Sequence, residues 1–197
     1  LVEKAVKIIA ISESTKQDLI KIFNVDESKI EVIYHGNSML SSSKSKLNFN
    51  IPNKFILFVG SRSNYKNFHR FILGVSNLLL QEKDLSVVCI GGGKFSNQEL
   101  SYFSKLNVID RLNQYNVDDS ELAEFYKKAI MFVFPSLYEG FGIPILEAFS
   151  CKCPLVCSDT SSFPEVALNG AEYFDPYNEQ SIYNSVEKVL FNIKWNN

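Results

Sequence analysis

Short apolar runs recur along the chain, with helical patterns between them. They fall at residues 8–11, 30–34, 55–59, 87–90, 130–134 and 155–157, and their apolar side chains follow one another largely without alternation. A strand that is apolar on both sides must be covered on both faces, as in a parallel sheet between helix layers. Strand followed by helix, repeated, predicts an α/β chain: a Rossmann-like parallel sheet with helices on both faces.

The helix starts carry capping residues. Ser12-Glu13-Ser14-Thr15 precedes a helical pattern over 16–23, and Asp118-Asp119-Ser120-Glu121 precedes one over 122–129. Side chains of these kinds accept the free amides of a first turn. Pro144 suits a first-turn position ahead of 145–149, while Pro164-Glu165 and Asn178-Glu179 open two further helices. One stretch lacks periodicity altogether: Ser41-Ser42-Ser43-Lys44-Ser45-Lys46 is polar and low in complexity, which predicts a mobile loop over 41–48. Residues 1–37 are therefore read as the end of a preceding domain with its crossing segment, and 38–197 as one Rossmann-like domain. The chain opens at Leu1 inside a patterned segment, so a longer protein is expected.

Composition narrows the ligand. Twenty basic residues against 22 acidic ones leave a formal charge of -2, which gives no bulk attraction to nucleic acid or anionic lipid. An anionic ligand would be held locally. No apolar run approaches the roughly 20 residues that span a bilayer, and no charged-then-apolar leader is visible, so the expected location is the cytoplasm. Cys89, Cys151, Cys153 and Cys157 lack metal-finger spacing and read as reduced structural thiols, with a redox or metal role for Cys151-Lys152-Cys153 as the lesser alternative. His35 and His69 have no patterned partner for a metal or a triad, and are read as structural.

The densest chemistry follows the 131–134 strand, in Glu139-Gly140-Phe141-Gly142-Ile143-Pro144-Ile145-Leu146-Glu147. Gly140 and Gly142 let backbone approach a ligand, and Pro144 presets a helix start. Amides near Gly142 and Ile143 would then face a phosphate at the positive end of the helix. Glu139 and Glu147 flank that point as acceptor-only carboxylates suited to sugar or ribose hydroxyls.

A second constellation follows the 55–59 strand: Gly60-Ser61-Arg62-Ser63-Asn64-Tyr65-Lys66-Asn67. Loops at the carboxyl ends of parallel strands are where such folds bind ligands. Arg62 has the fork geometry for phosphate oxygens and Lys66 supplies a point charge. The segment lacks the second glycine and terminal hydroxyl of a nucleotide-hydrolysing phosphate loop. Gly91-Gly92-Gly93 reads as a permissive turn beside the cleft, and no Gly-x-Gly-x-x-Gly fingerprint is present.

Together these motifs resemble the family 4 glycosyltransferases of the two-domain GT-B architecture. The likeness runs from Ile9-Ala10-Ile11-Ser12-Glu13-Ser14 to Phe174-Asp175-Pro176. It includes Pro135-Ser136-Leu137-Tyr138 and Pro164-Glu165-Val166, and is most specific in the two glutamates of the 139–147 segment. The resemblance implies the C-terminal, donor-binding half of a GT-B fold, with the acceptor domain outside this chain. It implies that Arg62 and Lys66 clamp a diphosphate behind Gly60, and that Glu139 holds donor-sugar hydroxyls. Phe141, Gly142 and Ile143 would surround the distal phosphate, Glu147 the ribose, and Tyr115, Asn116 and Val117 the base.

It further implies retaining transfer of a hexose from a UDP-, GDP- or ADP-linked sugar to a glycan or lipid-linked acceptor, in cell-surface polysaccharide synthesis. No cofactor or metal is expected, since no Asp-x-Asp pair is present. Peripheral association of the full-length protein with the inner membrane face is a further expectation. Two alternatives stay open on the same architecture: a sugar-nucleotide epimerase and a non-catalytic nucleotide-sugar-binding module.

Overall fold

The computed structural model describes residues 2–37 and 50–192. The first stretch forms β1 (Ile8–Ala10), α1 (Glu13–Phe23) and β2 (Ile30–Val32). The two strands pair in parallel as a separate two-stranded sheet over a small core of Ala10, Val25 and Ile30. The second stretch builds the main sheet from β3 (Lys54–Val59), β4 (Leu85–Ile90), β5 (Leu112–Tyr115), β6 (Met131–Phe134), β7 (Leu155–Ser158) and β8 (Ala171–Phe174). All are parallel, in the order β5-β4-β3-β6-β7-β8.

β3 runs through the centre and shows why its sequence is continuously apolar. Ile56 and Phe58 enter one core with α2 (Phe68–Gln81), α3 (Asn97–Lys105) and α7 (Glu179–Phe191). Phe55 and Leu57 enter the opposite core with α4 (Asp119–Lys128), α5 (Ile143–Ser150) and α6 (Phe163–Ala167). All four side chains are buried, and burial of each contributes about 1.5–3 kcal/mol. On the first face Gly74 lets α2 approach α7 closely: a Cβ there would lie 3.0 Å from Ile182 Cγ2.

The caps form as the sequence indicates. Ser12 accepts the amide of Thr15, Asp118 makes a reciprocal capping box with Glu121, and Asn178 accepts from Gln180 and Ser181. Four elements go beyond the sequence reading: the edge strands β5 and β8, and the extents of α2 and α3. The predicted mobile loop at 41–48 lies outside the described residues.

Strand order reverses between β3 and β6, because the chain winds from β3 to one side of the sheet and from β6 to the other. The carboxyl ends of the two strands that flank such a reversal are the usual ligand position in open α/β sheets. Both constellations singled out from the sequence start there. Among the described residues, no helix is long and apolar enough to cross a membrane.

Candidate functional site

Two loops meet at this reversal point. The one after β3 makes a 3-10 turn over Asn64–Lys66 and passes into α2 through Asn67, whose φ of 55° is left-handed and whose side chain donates to the Pro176 carbonyl at 2.8 Å. It is tied to the loop after β6 by the Leu137 amide, which donates to the Tyr65 carbonyl at 2.7 Å. Lys66 Nζ then reaches across to Glu139 Oε1 at 2.6 Å, the two side chains being 14% and 18% exposed. The ammonium also stands 5.5 Å from the centre of the Phe134 ring and 5.2 Å from that of Tyr65. Gly60, with φ of 124°, leaves room for it, since a Cβ there would meet the Lys66 chain at 3.8 Å.

The β6 loop enters α5 through Gly142, whose φ of 96° is left-handed. A Cβ at this position would lie 3.1 Å from Ile145 Cδ1 and 3.3 Å from the Phe163 ring, so both conformation and space call for glycine. Among the described residues the amides of Gly140, Phe141 and Gly142 donate to no backbone or side-chain acceptor, and Ile143 begins the helix, where amides have no intrahelical partner. Free donors at a positive helix end make a place for an anion. Phe141 is buried against Tyr34 and His35, at ring-centre distances of 5.8 and 5.3 Å.

One helical turn on, Glu147 Oε2 accepts the hydroxyl of the buried Tyr126 at 2.9 Å. Burial pushes the Glu147 carboxyl above its ordinary range, against the lowering effect of the Tyr126 bond. With a raised folded value, this group's contribution to stability is fully present below the unfolded carboxyl value of about 4.3. It is lost as pH rises through the folded value. Glu147→Gln is therefore expected to flatten the pH dependence of unfolding above that point and to exceed the parent in stability at neutral pH. Urea titrations across pH check this, and parallel profiles for the two proteins would refute it.

Arg62 is placed differently from the sequence expectation. Its side chain is only 4% exposed, and Nε donates to Glu99 Oε1 at 2.6 Å. Nη1 donates to the Gly91 carbonyl at 3.0 Å, and Nη2 lies 3.0–3.3 Å from the carbonyls of Gly92, Gly93 and Lys94. The guanidinium also sits 4.8 Å from the centre of the Phe95 ring. It packs behind the glycine turn while Lys66 turns toward Glu139, so the structure does not bring the two cations together on one open surface. The physical reason is Glu99: a buried carboxylate and four carbonyls form a complete shell for the fork. Gly91, Gly92 and Gly93 have φ of 85°, 71° and 71°, and a Cβ on Gly92 would lie 2.7 Å from Arg62 Nη1. The turn is permissive for a reason: it wraps Arg62.

Tyr115, Asn116 and Val117 leave the carboxyl end of the edge strand β5, on the same edge of the sheet as the other candidates. The Tyr115 hydroxyl donates to the Asn50 carbonyl at 3.0 Å, and Asn116 Oδ1 accepts from Gln114 at 2.8 Å. His69 packs on the Tyr102 ring at 4.9 Å. All four cysteines are buried free thiols, with burial raising Cys153 to about 12. No three His, Cys, Asp or Glu side chains among the described residues cluster in a way that could hold a metal.

Behind the site stand Tyr126, Glu99 and the hydroxyls of Ser12, Thr15, Ser161 and Ser162, none of which carries a functional signal in the sequence. Ser12 and Thr15 read there as part of a helix start, and the hydroxyl-rich turn Ser158-Asp159-Thr160-Ser161-Ser162 is the one feature that could have pointed to Ser161 and Ser162.

Comparison with known proteins is consistent with this geometry. Residues 41–194 match the family described as "Glycosyl transferases group 1". The chain is 31% identical over 191 residues to an O-antigen chain mannosyltransferase of Salmonella typhimurium, covering 95% of this chain and 52% of that protein. It is 26% identical over 194 residues to an N-acetylgalactosaminyltransferase of Campylobacter jejuni acting on a diphospho-undecaprenol-linked sugar, covering 96% and 52%. It thus spans about half the length of these relatives. Among solved structures, a glycosyltransferase of lipopolysaccharide biosynthesis superposes with a TM-score of 0.81 at 16% identity, covering 96% of this chain and 55% of that one. An Anabaena protein in complex with UDP and glucose gives 0.80 at 18% identity, covering 98% and 56%. The family match and the Rossmann-like sheet agree with the GT-B resemblance of the motifs, and the chain belongs to the group 1 glycosyl transferases.

Proposed function

We propose that this chain is the donor-binding part of a glycosyltransferase that takes a hexose from a nucleoside diphosphate sugar. The observation that carries the reading is the Lys66–Glu139 pair at the sheet's reversal point, with Glu139 on the loop whose free amides lead into α5. In this reading the diphosphate lies between Lys66 and the amides of Gly142 and Ile143, which together offset charge developing on the leaving group. Glu139 faces donor-sugar hydroxyls, Glu147 the ribose, and the turn at Tyr115, Asn116 and Val117 the base. Gly60 and Phe141 shape the floor. Arg62, enclosed by Glu99 and the glycine turn, reaches a phosphate only by giving up that shell, so its role in this reading is to hold the wall of the cleft.

A cation and a helix end supply the positive charge without a metal, which supports metal-independent transfer. Retention of configuration follows the family resemblance. Two kinds of relative, mannosyltransferases for O-antigen and a transferase acting on a lipid-linked diphosphate sugar, support a glycan or lipid-linked acceptor in polysaccharide synthesis at the cytoplasmic membrane face. Residues 1–37 are the closing part of the acceptor domain in this reading.

Calorimetric titration of the chain with uridine, guanosine and adenosine diphosphates tests the site. At least one is expected to bind, at least tenfold more tightly than its monophosphate, because the second phosphate adds charge-assisted hydrogen bonds. Affinity should fall with added salt and stay unchanged with magnesium or chelator. Equal binding of mono- and diphosphate would remove the anion site, and a requirement for magnesium would remove the metal-free reading.

A further inference from the structure

Three consecutive carbonyls of the 139–142 loop are held by hydroxyl groups. Ser161 Oγ donates to the Glu139 carbonyl at 2.6 Å and accepts the Glu139 amide at 3.2 Å. Ser162 Oγ lies 3.0 Å from the Glu139 carbonyl and 2.8 Å from that of Phe141. Between them the Gly140 carbonyl accepts Ser12 Oγ at 2.6 Å and Thr15 Oγ1 at 3.0 Å. Ser12 and Ser162 are fully buried.

The peptide group is planar and trans, so each carbonyl opposes the amide that follows it. Ser161 and Ser162 hold the carbonyls of Glu139 and Phe141, so the amides of Gly140 and Gly142 point away from the turn before α6; Ser12 and Thr15 hold the Gly140 carbonyl, so the Phe141 amide points away from α1. Those amides are the ones that find no acceptor among the described residues. The Glu139 backbone is gripped on both of its peptides while its carboxylate rests on Lys66. Ser161 adopts a φ of 56°, a left-handed conformation that a residue with a Cβ adopts only at a cost. Such a cost persists where surrounding contacts determine the geometry, and it concentrates at functional sites.

We infer that Ser161 and Ser162 are positioning residues for donor recognition: their hydroxyls set the Glu139 backbone so that its carboxylate and the free amides converge on one nucleoside diphosphate sugar. Ser12 and Thr15 hold the intervening carbonyl from the α1 side. The inference rests on the reading of the site given above. It assigns the hydroxyl-rich turn before α6 a part in selecting the sugar, although no side chain of that turn needs to touch the ligand.

The test compares affinities for a nucleotide sugar and for its diphosphate, by calorimetry on this chain with GDP-mannose and GDP, and with UDP-glucose and UDP. Glycine accepts a φ of 56° without strain, so Ser161→Gly removes the hydroxyl and spares the backbone. The ratio of sugar-nucleotide to diphosphate affinity is expected to fall about tenfold in Ser161→Gly. Ser161→Asn, which tolerates this φ and restores a donor and an acceptor, should recover part of it. Glu139→Ala should lower the ratio as well, and adding Ser161→Gly to it should cause no further loss, because no carboxylate is left to position. A parent-like ratio in Ser161→Gly beside a reduced one in Glu139→Ala would overturn the inference alone, as would fully additive losses. An unchanged ratio in Glu139→Ala would overturn the site reading and this inference with it, as would a failure of all four probes and of adenosine diphosphate to bind.

Discussion

Arg62→Ala is expected to remove about 3–5 kcal/mol of folding free energy, the usual cost of deleting one partner of a buried ion pair. Against a typical domain stability of about 5–15 kcal/mol, that is a large share. The expectation follows from what the guanidinium serves. Glu99 Oε1 accepts from it while Oε2 accepts the Ser96 amide in the α3 capping box. Burial would raise the Glu99 carboxyl, but the hydrogen bonds from Arg62 and Ser96 outweigh it and hold the group below its ordinary range. Without Arg62 a buried carboxylate loses its counter-charge, and the carbonyls of Gly91, Gly92, Gly93 and Lys94 lose their common donor.

The sign of the pH effect follows from the lowered folded value. Stability from this pair is present above the unfolded carboxyl value, near 4.3, and is lost as pH falls through the folded value. Arg62→Ala should therefore flatten the acid limb of the stability profile as well as lower its plateau. The double variant Arg62→Met/Glu99→Leu should recover much of the loss at neutral pH, because apolar residues of similar volume replace a buried pair at little cost. Urea denaturation of the three proteins decides it. A loss under 1 kcal/mol in Arg62→Ala would mean that the shell around the guanidinium is not a stabilising one.

Arg62 also marks where sequence stops short. Residue type and loop position place a cation just past β3 but leave its direction open. That direction depends on Glu99, which lies 37 positions away and is the third residue of α3, the acidic member of its capping box. A short-range motif explains Glu99 fully, so nothing flags its second partner. Strands show the same divide. β3, β4, β6 and β7 lie inside the sheet and announce themselves as apolar runs, whereas β5 and β8 are edge strands with one buried residue each. Half-exposed edges need no continuous apolar run, so Leu112-Asn113-Gln114-Tyr115 looks like loop. That Lys66 and Glu139 lie on neighbouring loops was legible because both stand just past inner strands that flank the reversal of strand order, but their ion pair was not. Nor were the hydroxyls that hold the loop. Serine and threonine near helix starts are explained by capping alone, and only the packed fold shows whose carbonyls they reach.

Lys66→Ala is expected to weaken binding of the best nucleoside diphosphate by about a hundredfold. Loss of a hydrogen bond to a charged group accounts for about 1.5–3 kcal/mol, and a second effect adds to it. Glu139 lies 2.6 Å from the ammonium; once the lysine is gone, its carboxylate faces the diphosphate with no intervening cation, and the two anions repel in a site screened little by solvent. Glu139→Gln on its own should change diphosphate affinity little, or raise it slightly, since it frees Lys66 from a competitor. Combined with Lys66→Ala it should restore part of the lost affinity, so the cycle is non-additive with a definite sign. Calorimetry on the two single variants and the double gives that sign directly. If the double variant bound the diphosphate as weakly as Lys66→Ala, the repulsion would be absent. If Lys66→Ala bound it as tightly as the parent, the diphosphate would lie elsewhere and the reversal point would not be the donor site.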